Sequence, residues 1–345
     1  MTTRRMVLMG AAALLAPRTG WAQAAAAERT GVHRTDFAFS SGERRPVRLA
    51  YTTIGAPRRN SAGEVVNAAL VLHGTGGRGS ELLTPAFRKV FLAPGGPLDP
   101  SRVFIVAPDA LGHGDSSRPS TDPAPFPAYG YRDMVRGQRL VAEHLGIRRP
   151  RLIFGTSMGG HHTWVWATEH PGVAARHLAV ATSPAKFVGR NLLWRELAAK
   201  ALRDNPAPGG AGAQQAAGIM LQAMASPAAL ERLLKEPGAL AGFTRAAAAG
   251  ASLTPLDLAY AIEAYRDYDP WPKLDVVRGP VLNLNFADDP LYPPETDLVA
   301  EAARRQPSIQ RVVIPAGPTT NGHGTIGQPQ LWAPAVDAFI RAAFS

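Results

Sequence analysis

The sequence predicts an α/β fold: a mostly parallel β-sheet with helices on both faces and an inserted helical cap. Three observations carry that expectation. Short apolar runs of strand type alternate with amphipathic helical segments along most of the chain. One of the runs passes through a glycine-flanked serine directly into a helix. The alternation stops near residue 185 and resumes near residue 274.

The elements follow in order. After a loose stretch to about Thr35, residues 47–54 alternate in the manner of a half-buried strand. Ala68-Ala69-Leu70-Val71-Leu72 is a short apolar run ending in His73-Gly74, and Val103-Phe104-Ile105-Val106-Ala107 is another. Residues 131–145 set Met134, Val135, Leu140, Val141 and Leu145 at helical spacing, and Arg151-Leu152-Ile153-Phe154 reads as a strand. A helix over 158–169, strands over 177–181 and 281–286, a helix over 294–305 and a strand over 310–314 complete the series. Strands joined by helical crossovers pair in parallel, and such sheets are covered on both faces. Residues 185–273 break the rhythm: they are alanine-rich, read as several helices and carry a Pro-Gly-Gly-Ala-Gly interruption from Pro208 to Gly212. The expected organisation is a core of residues 25–184 and 274–345 interrupted by this cap.

The first 24 residues read as an address. Arg4 and Arg5 precede a short apolar stretch from Met6 to Ala16, and Ala22-Gln23-Ala24 supplies a small-residue cleavage pattern. The paired arginines, with Thr3 before them and Val7-Leu8 after, resemble a twin-arginine signal. The apolar stretch falls well short of the ~20 residues that span a bilayer. The expectation is a periplasmic or secreted protein with no stable membrane insertion once the signal is removed.

Composition narrows the chemistry. The chain has 345 residues and a net charge of +10, yet only five of its 37 basic residues are lysines, and no run of five or more basic residues occurs. Without clustered charge or a recognisable module, nucleic acid is not expected as a partner. The absence of cysteine excludes disulfides, thiolate metal sites and a thiol nucleophile. Covalent catalysis must then use oxygen or nitrogen.

Gly155-Thr156-Ser157-Met158-Gly159 lies between a predicted strand and a predicted helix. A tight strand-to-helix turn pushes the serine hydroxyl to the C-terminal edge of the sheet, where open α/β sheets bind ligands, and sets it at a helix N-terminus that favours developing negative charge. A serine hydroxyl needs a base, and the base an orienting acid; on such a turn they follow in the order Ser, Asp, His. Asp289, at the tip of strand 281–286 in Asp288-Asp289-Pro290-Leu291-Tyr292-Pro293, is the choice for the acid, with Asp288 as the alternative. His323, in the loop Asn321-Gly322-His323-Gly324, is the only histidine after residue 177 and is the expected base. The oxyanion hole is expected from the backbone amides of Met158 and Thr75, the latter in the loop His73-Gly74-Thr75-Gly76-Gly77.

His73 is read as fixing that loop by hydrogen bonding, and His113 as a structural residue of the loop from Asp109 to Ser116. His161 and His162, on the helix after the serine, are read as core, with contact to the pocket as the alternative for His161, one turn beyond Ser157; the pair lacks a third metal ligand at readable spacing. No cofactor and no metal are expected. In the cap, Phe187, Trp194, Met220, Met224, Tyr260 and Trp271 are candidates either for an acyl pocket or for the cap's own core.

Together, His73-Gly74, the Asp109–Ser116 loop, the Ser157 turn, Asp289 and His323 resemble the α/β-hydrolase superfamily over essentially the whole mature chain. Phe126-Pro127, the stretch Tyr131-Arg132-Asp133-Met134-Val135-Arg136-Gly137-Gln138, Leu145-Gly146-Ile147, Ser157-Met158-Gly159-Gly160 and Leu291-Tyr292-Pro293-Pro294 resemble its homoserine O-acetyltransferase branch. Two positions depart from that branch. Its catalytic histidine is usually followed by aspartate, where this chain has Gly324, and its Asn-, Gly- and Cys-containing loop after the third strand is replaced by Asp109-Ala-Leu-Gly-His-Gly.

The resemblance implies an acyl-enzyme on Ser157. Since an exported enzyme meets no supply of acyl-CoA, the expected function is a serine hydrolase of small-molecule carboxylic esters, ahead of amides. An acyl-CoA-dependent O-acyltransferase and a non-catalytic binding protein on the same fold are the alternatives.

Overall fold

The computed structural model describes residues 28–345, so the expected signal, residues 1–24, lies outside the described residues. Eight strands form one sheet: β1 (Arg29–Ala38), β2 (Arg44–Ile54), β3 (Ala68–Leu72), β4 (Phe104–Pro108), β5 (Leu152–Thr156), β6 (Arg176–Val180), β7 (Val281–Phe286) and β8 (Ile309–Ile314). Their spatial order is β1-β2-β4-β3-β5-β6-β7-β8. β1 and β2 pair antiparallel, as do β2 and β4, and every later pair is parallel.

The eleven residues of β2 pair with a strand where the sequence reads as loose. β1 carries Arg29, His33, Arg34 and Asp36 on an edge whose side chains stay largely accessible, so no apolar alternation marks it. Its partner register, Arg29 opposite Thr53 through Ala38 opposite Arg44, is closed by a turn with Gly42 at φ 91°. The expected helix over 294–305 also differs. A 3₁₀ turn, Pro294–Thr296, precedes α10 (Leu298–Arg305), because Asp297 Oδ1 accepts the Val299 N–H and caps the helix there.

Two short helices, α1 (Gly79–Leu82) and α2 (Pro85–Phe87), follow β3. α3 (Tyr131–His144) and α4 (Met158–Glu169) cover one face of the sheet, and α11 (Ala333–Arg341) covers the other. All residues of β3, β4, β5 and β7 are buried. Alternation then divides them between two cores. Leu70, Leu72, Val106 and Ile153 meet Met134, Val135, Trp164 and Trp166 on one side. Val71, Ile105, Phe154 and Leu284 meet Phe91, Trp332 and Ile340 on the other. Each fully buried side chain of this size contributes roughly 1.5–3 kcal/mol, and together they hold β5 and α4 rigidly.

The cap comprises α5 (Gly189–Asp204), α6 (Ala211–Met224), α7 (Pro227–Leu233), α8 (Ala239–Ala249) and α9 (Pro255–Glu263), all between β6 and β7. Ser226 and Thr254 cap α7 and α9, each with proline at the first helical position, a local sequence signal that starts both helices. Trp194, Leu202, Ile262 and several alanines form a separate small core. Among the described residues no helix is long and apolar enough to cross a membrane.

Candidate active site

β5 delivers the chain to Ser157 in a backbone conformation of φ 54° and ψ −118°, a region that costs on the order of 1–3 kcal/mol for a non-glycine residue. The two flanking glycines make this turn possible. A Cβ on Gly155 would lie 1.9 Å from the Gly159 carbonyl oxygen, and one on Gly159 would lie 2.1 Å from that of Leu72. The strand and the helix therefore cross closely enough that only hydrogen fits at both positions.

The serine is not alone at the sheet edge. Its Oγ–H donates to His323 Nε2 at 2.8 Å, and His323 Nδ1–H donates to Asp289 Oδ2 at 2.7 Å. Asp289 is 1% exposed and its other oxygen accepts the Leu291 N–H at 2.9 Å, so the carboxylate is fixed at both ends. Asp288 does not meet the histidine; its Oδ2 accepts from Thr320 Oγ1 at 2.8 Å and from the Gly322 N–H at 3.0 Å, and so shapes the loop that carries His323.

The loop after β3 passes directly over the serine, with the position of a Cβ on Gly74 only 3.4 Å from Ser157 Cβ. Among the described residues, the backbone amides of Thr75 and Met158 have no protein acceptor, which leaves both donors for a substrate oxygen. His73 holds the loop. Its Nδ1–H donates to Gly74 O at 2.9 Å and its Nε2 accepts the Ala110 N–H at 3.0 Å, tying the turn after β3 to the turn after β4. Burial lowers the pKa of His73, in keeping with the neutral tautomer those two bonds require. His113 lies beside it with ring centroids 5.1 Å apart and, buried, has its pKa pushed down to about 3.

His161 reaches further into the site than a core residue would. Its Nδ1–H donates to the Ser157 carbonyl oxygen at 2.9 Å, and its Nε2 accepts the Tyr292 hydroxyl at 2.9 Å. Burial, followed by the nearby Arg195 charge, drives its pKa well below the usual range. A neutral imidazole thus links the serine turn to the loop bearing Asp289. His162 is enclosed in the core, where Gln138 bridges it to Trp166. Among the described residues no group of three or more His, Asp or Glu side chains clusters as a metal site.

The cap grips both loops. The His323 N–H donates to Met224 O at 2.9 Å, Arg232 donates to Thr320 O and Asn321 Oδ1, and Ser252 Oγ–H donates to Gly76 O at 2.6 Å. Gly322, at φ 61°, passes so close that a Cβ would lie 2.6 Å from Met224 O. Nothing local in the sequence marks these bonds, because each joins residues far apart in the chain. Of the cap candidates, Met220 and Met224 line a cavity of about 840 Å³ that reaches Thr75, Gly76, Asn321 and Gly324. Phe187 instead borders a second cavity beside His161 and Tyr292, Trp194 belongs to the cap core, and Tyr260 and Trp271 pack against the main core.

The α/β hydrolase fold pattern matches residues 68–320. Among curated proteins, the homoserine O-acetyltransferase of Deinococcus radiodurans is 31% identical over 266 residues, covering 72% of this chain and 73% of that protein. A bifunctional methionine biosynthesis protein of Rhodopirellula baltica is 34% identical over 181 residues, 48% of this chain and 28% of that one. Against several of these relatives the matched segment spans less than half of their length. Among solved structures, an acetylester hydrolase from Corynebacterium glutamicum superposes with a TM-score of 0.75 at 20% identity, covering 92% of this chain and 96% of that one, a likeness of fold. With the pattern matched over residues 68–320 and the curated similarity covering 72% of the chain, the chain belongs to the α/β-hydrolase fold family, in its homoserine O-acetyltransferase-like branch.

Proposed function

We propose that the protein is a serine acyl-transfer enzyme in which Ser157 carries the acyl group. The chain of hydrogen bonds from Ser157 through His323 to Asp289, on a strained turn at a helix N-terminus, carries this reading. His323 Nε2 takes the hydroxyl proton as Ser157 Oγ attacks the carbonyl carbon of an ester or thioester. The amides of Thr75 and Met158 stabilise the resulting oxyanion, and the leaving group departs with the proton from His323. In the second half, the acceptor O–H gives its proton to His323, its oxygen bonds to the acyl carbon, and Ser157 Oγ leaves and recovers the proton.

Similarity to curated O-acetyltransferases, in one case over 72% of the chain, supports an alcohol as acceptor. Hydrolysis, with water as acceptor, is the second reading. It is favoured by the export-type pattern of residues 1–24 and by Gly324, which stands where the homoserine O-acetyltransferase branch usually carries an aspartate after its histidine. A fluorophosphonate probe tests the shared first half: it should attach to Ser157, as located by peptide mass. Ser157→Ala should remain unlabelled and lose roughly 10⁴- to 10⁶-fold in turnover. A wild-type protein that stays unlabelled would leave a binding role on this fold. Product analysis with an acyl donor, in water and then with added alcohols, separates hydrolysis from transfer.

A further inference from the structure

We propose that the cavity under the cap receives the hydrocarbon chain of the acyl group, so that the enzyme selects neutral acyl groups of medium length over acetyl or charged acyl groups. This rests on the acyl-enzyme reading above. The cavity is in the right place. Thr75 and Gly76 line it, as do Asn321 and Gly324, and these come from the two loops that flank Ser157. A carbonyl oxygen lodged at the Thr75 amide directs the remainder of the acyl group along this wall.

Its lining has one chemical character. Met220, Met224, Leu253 and Leu258 form the inner walls, and among the described residues none that lines the cavity carries a charge. Leu233 and Phe243, 51% and 37% exposed, also line it and so mark an apolar mouth open to solvent. A succinyl carboxylate or an α-ammonium group would lose its hydration there with no counter-charge to replace it.

The size has a sequence origin. Ala213 and Ala217 on α6, and Ala247 and Ala248 on α8, line the wall. Alanine keeps these helices stable while withholding the side-chain volume that would close the space. The alanine-rich composition of the cap therefore becomes about 840 Å³ of apolar room, within the range of about 300–1,000 Å³ typical of small-molecule sites. An acetyl group would leave almost all of it empty.

The test uses the purified full chain and varies one side of the ester at a time. With p-nitrophenol as the fixed leaving group, kcat/KM should rise roughly fourfold per methylene from acetate towards octanoate or decanoate, the gain expected for burying each methylene. With acetate fixed, lengthening the alcohol should not reproduce that rise. Ala217→Phe, which projects into the cavity, should move the optimum to shorter acyl chains, losing at least tenfold on decanoate while acetate changes less than twofold; Ala213→Phe serves the same purpose should the first variant melt early. In parallel, alkylphosphonofluoridates of increasing chain length should label Ser157 progressively faster, each forming one P–O bond and releasing fluoride. Labelling at a rate independent of chain length, a flat acyl series, a rise that follows the alcohol instead, or an equal loss on all esters in the phenylalanine variants would overturn the cavity assignment and leave the nucleophile standing. Absence of labelling by any chain length would overturn the acyl-enzyme reading itself.

Discussion

In the sheet layer, β5 and α4 bury Phe154, Trp164 and Trp166 almost completely, whereas in the cap α6 and α8 border a cavity of about 840 Å³ with alanines. Both regions are largely apolar, and they use that property in opposite ways. The layer's large side chains fix backbone positions, which is what a serine, a histidine and a carboxylate drawn from three separate loops require. The cap's small side chains fix very little and provide room. The two meet at a few polar bonds, Ser252 to Gly76 O and Met224 O to the His323 N–H among them, so the roomy region also braces the loops that the rigid one presents.

The division can be broken most severely at the charge that orients the base. Asp289→Asn keeps the shape and deprives His323 Nδ1 of its carboxylate; turnover of a reactive ester should fall by about 10⁴-fold with the fold unchanged by circular dichroism. A methyl group comes next. Gly155→Ala places a Cβ 1.9 Å from Gly159 O in a layer that cannot yield, and should lower unfolding free energy by about 2–4 kcal/mol in urea titration, if the protein folds at all. The much larger Ala217→Phe, aimed into the cap's space, should cost under about 1.5 kcal/mol by the same measurement. Equal costs would show that the two regions do not differ in packing.

Between pH 7 and 5 acid should act chiefly on the layer, since residues 185–273 contain no histidine. Burial lowers the pKa of His113 to about 3 and of His177 to about 4 from an ordinary 6.5. Between those values the unfolded chain binds more protons than the folded one, so stability rises with pH across this window and is lost as pH falls from about 6.5 towards 4. His177→Leu should flatten the melting-temperature profile between pH 7 and 5, by on the order of 1–2 kcal/mol at the acid end. An unchanged slope would count against a neutral buried His177. The smallest effect belongs to the seam between the regions: Ser252→Ala removes one hydrogen bond to the loop that carries Thr75 and should reduce kcat only about two- to tenfold, with little change in melting temperature.

The elements legible in the sequence were those whose signal is local. Apolar runs of strand length, helical spacing in residues 131–145, and a serine between two glycines are all contained within a few turns of chain. β1 was not legible, because a polar edge strand is defined by its partner β2 and carries no pattern of its own. Asp288 and Asp289 are adjacent and chemically alike; their different partners, Thr320 and His323, come from a loop more than thirty residues away, and only the register of β7 against that loop separates them. Tyr292 stood within a recognisable motif, yet its bond to His161 depends on bringing β7 and α4 together.

By itself, then, the sequence determined the alternation that makes a parallel sheet, the turn that exposes Ser157, and the chemical identities of the groups available to serve it, because backbone periodicity and side-chain chemistry are properties of neighbours. The tertiary structure decided which carboxylate meets the histidine, how His161 and the cap secure the loops, and how much space the alanines leave. Those are distances between residues remote in the chain, and they are set only when the two cores close around the sheet and the cap settles across its edge.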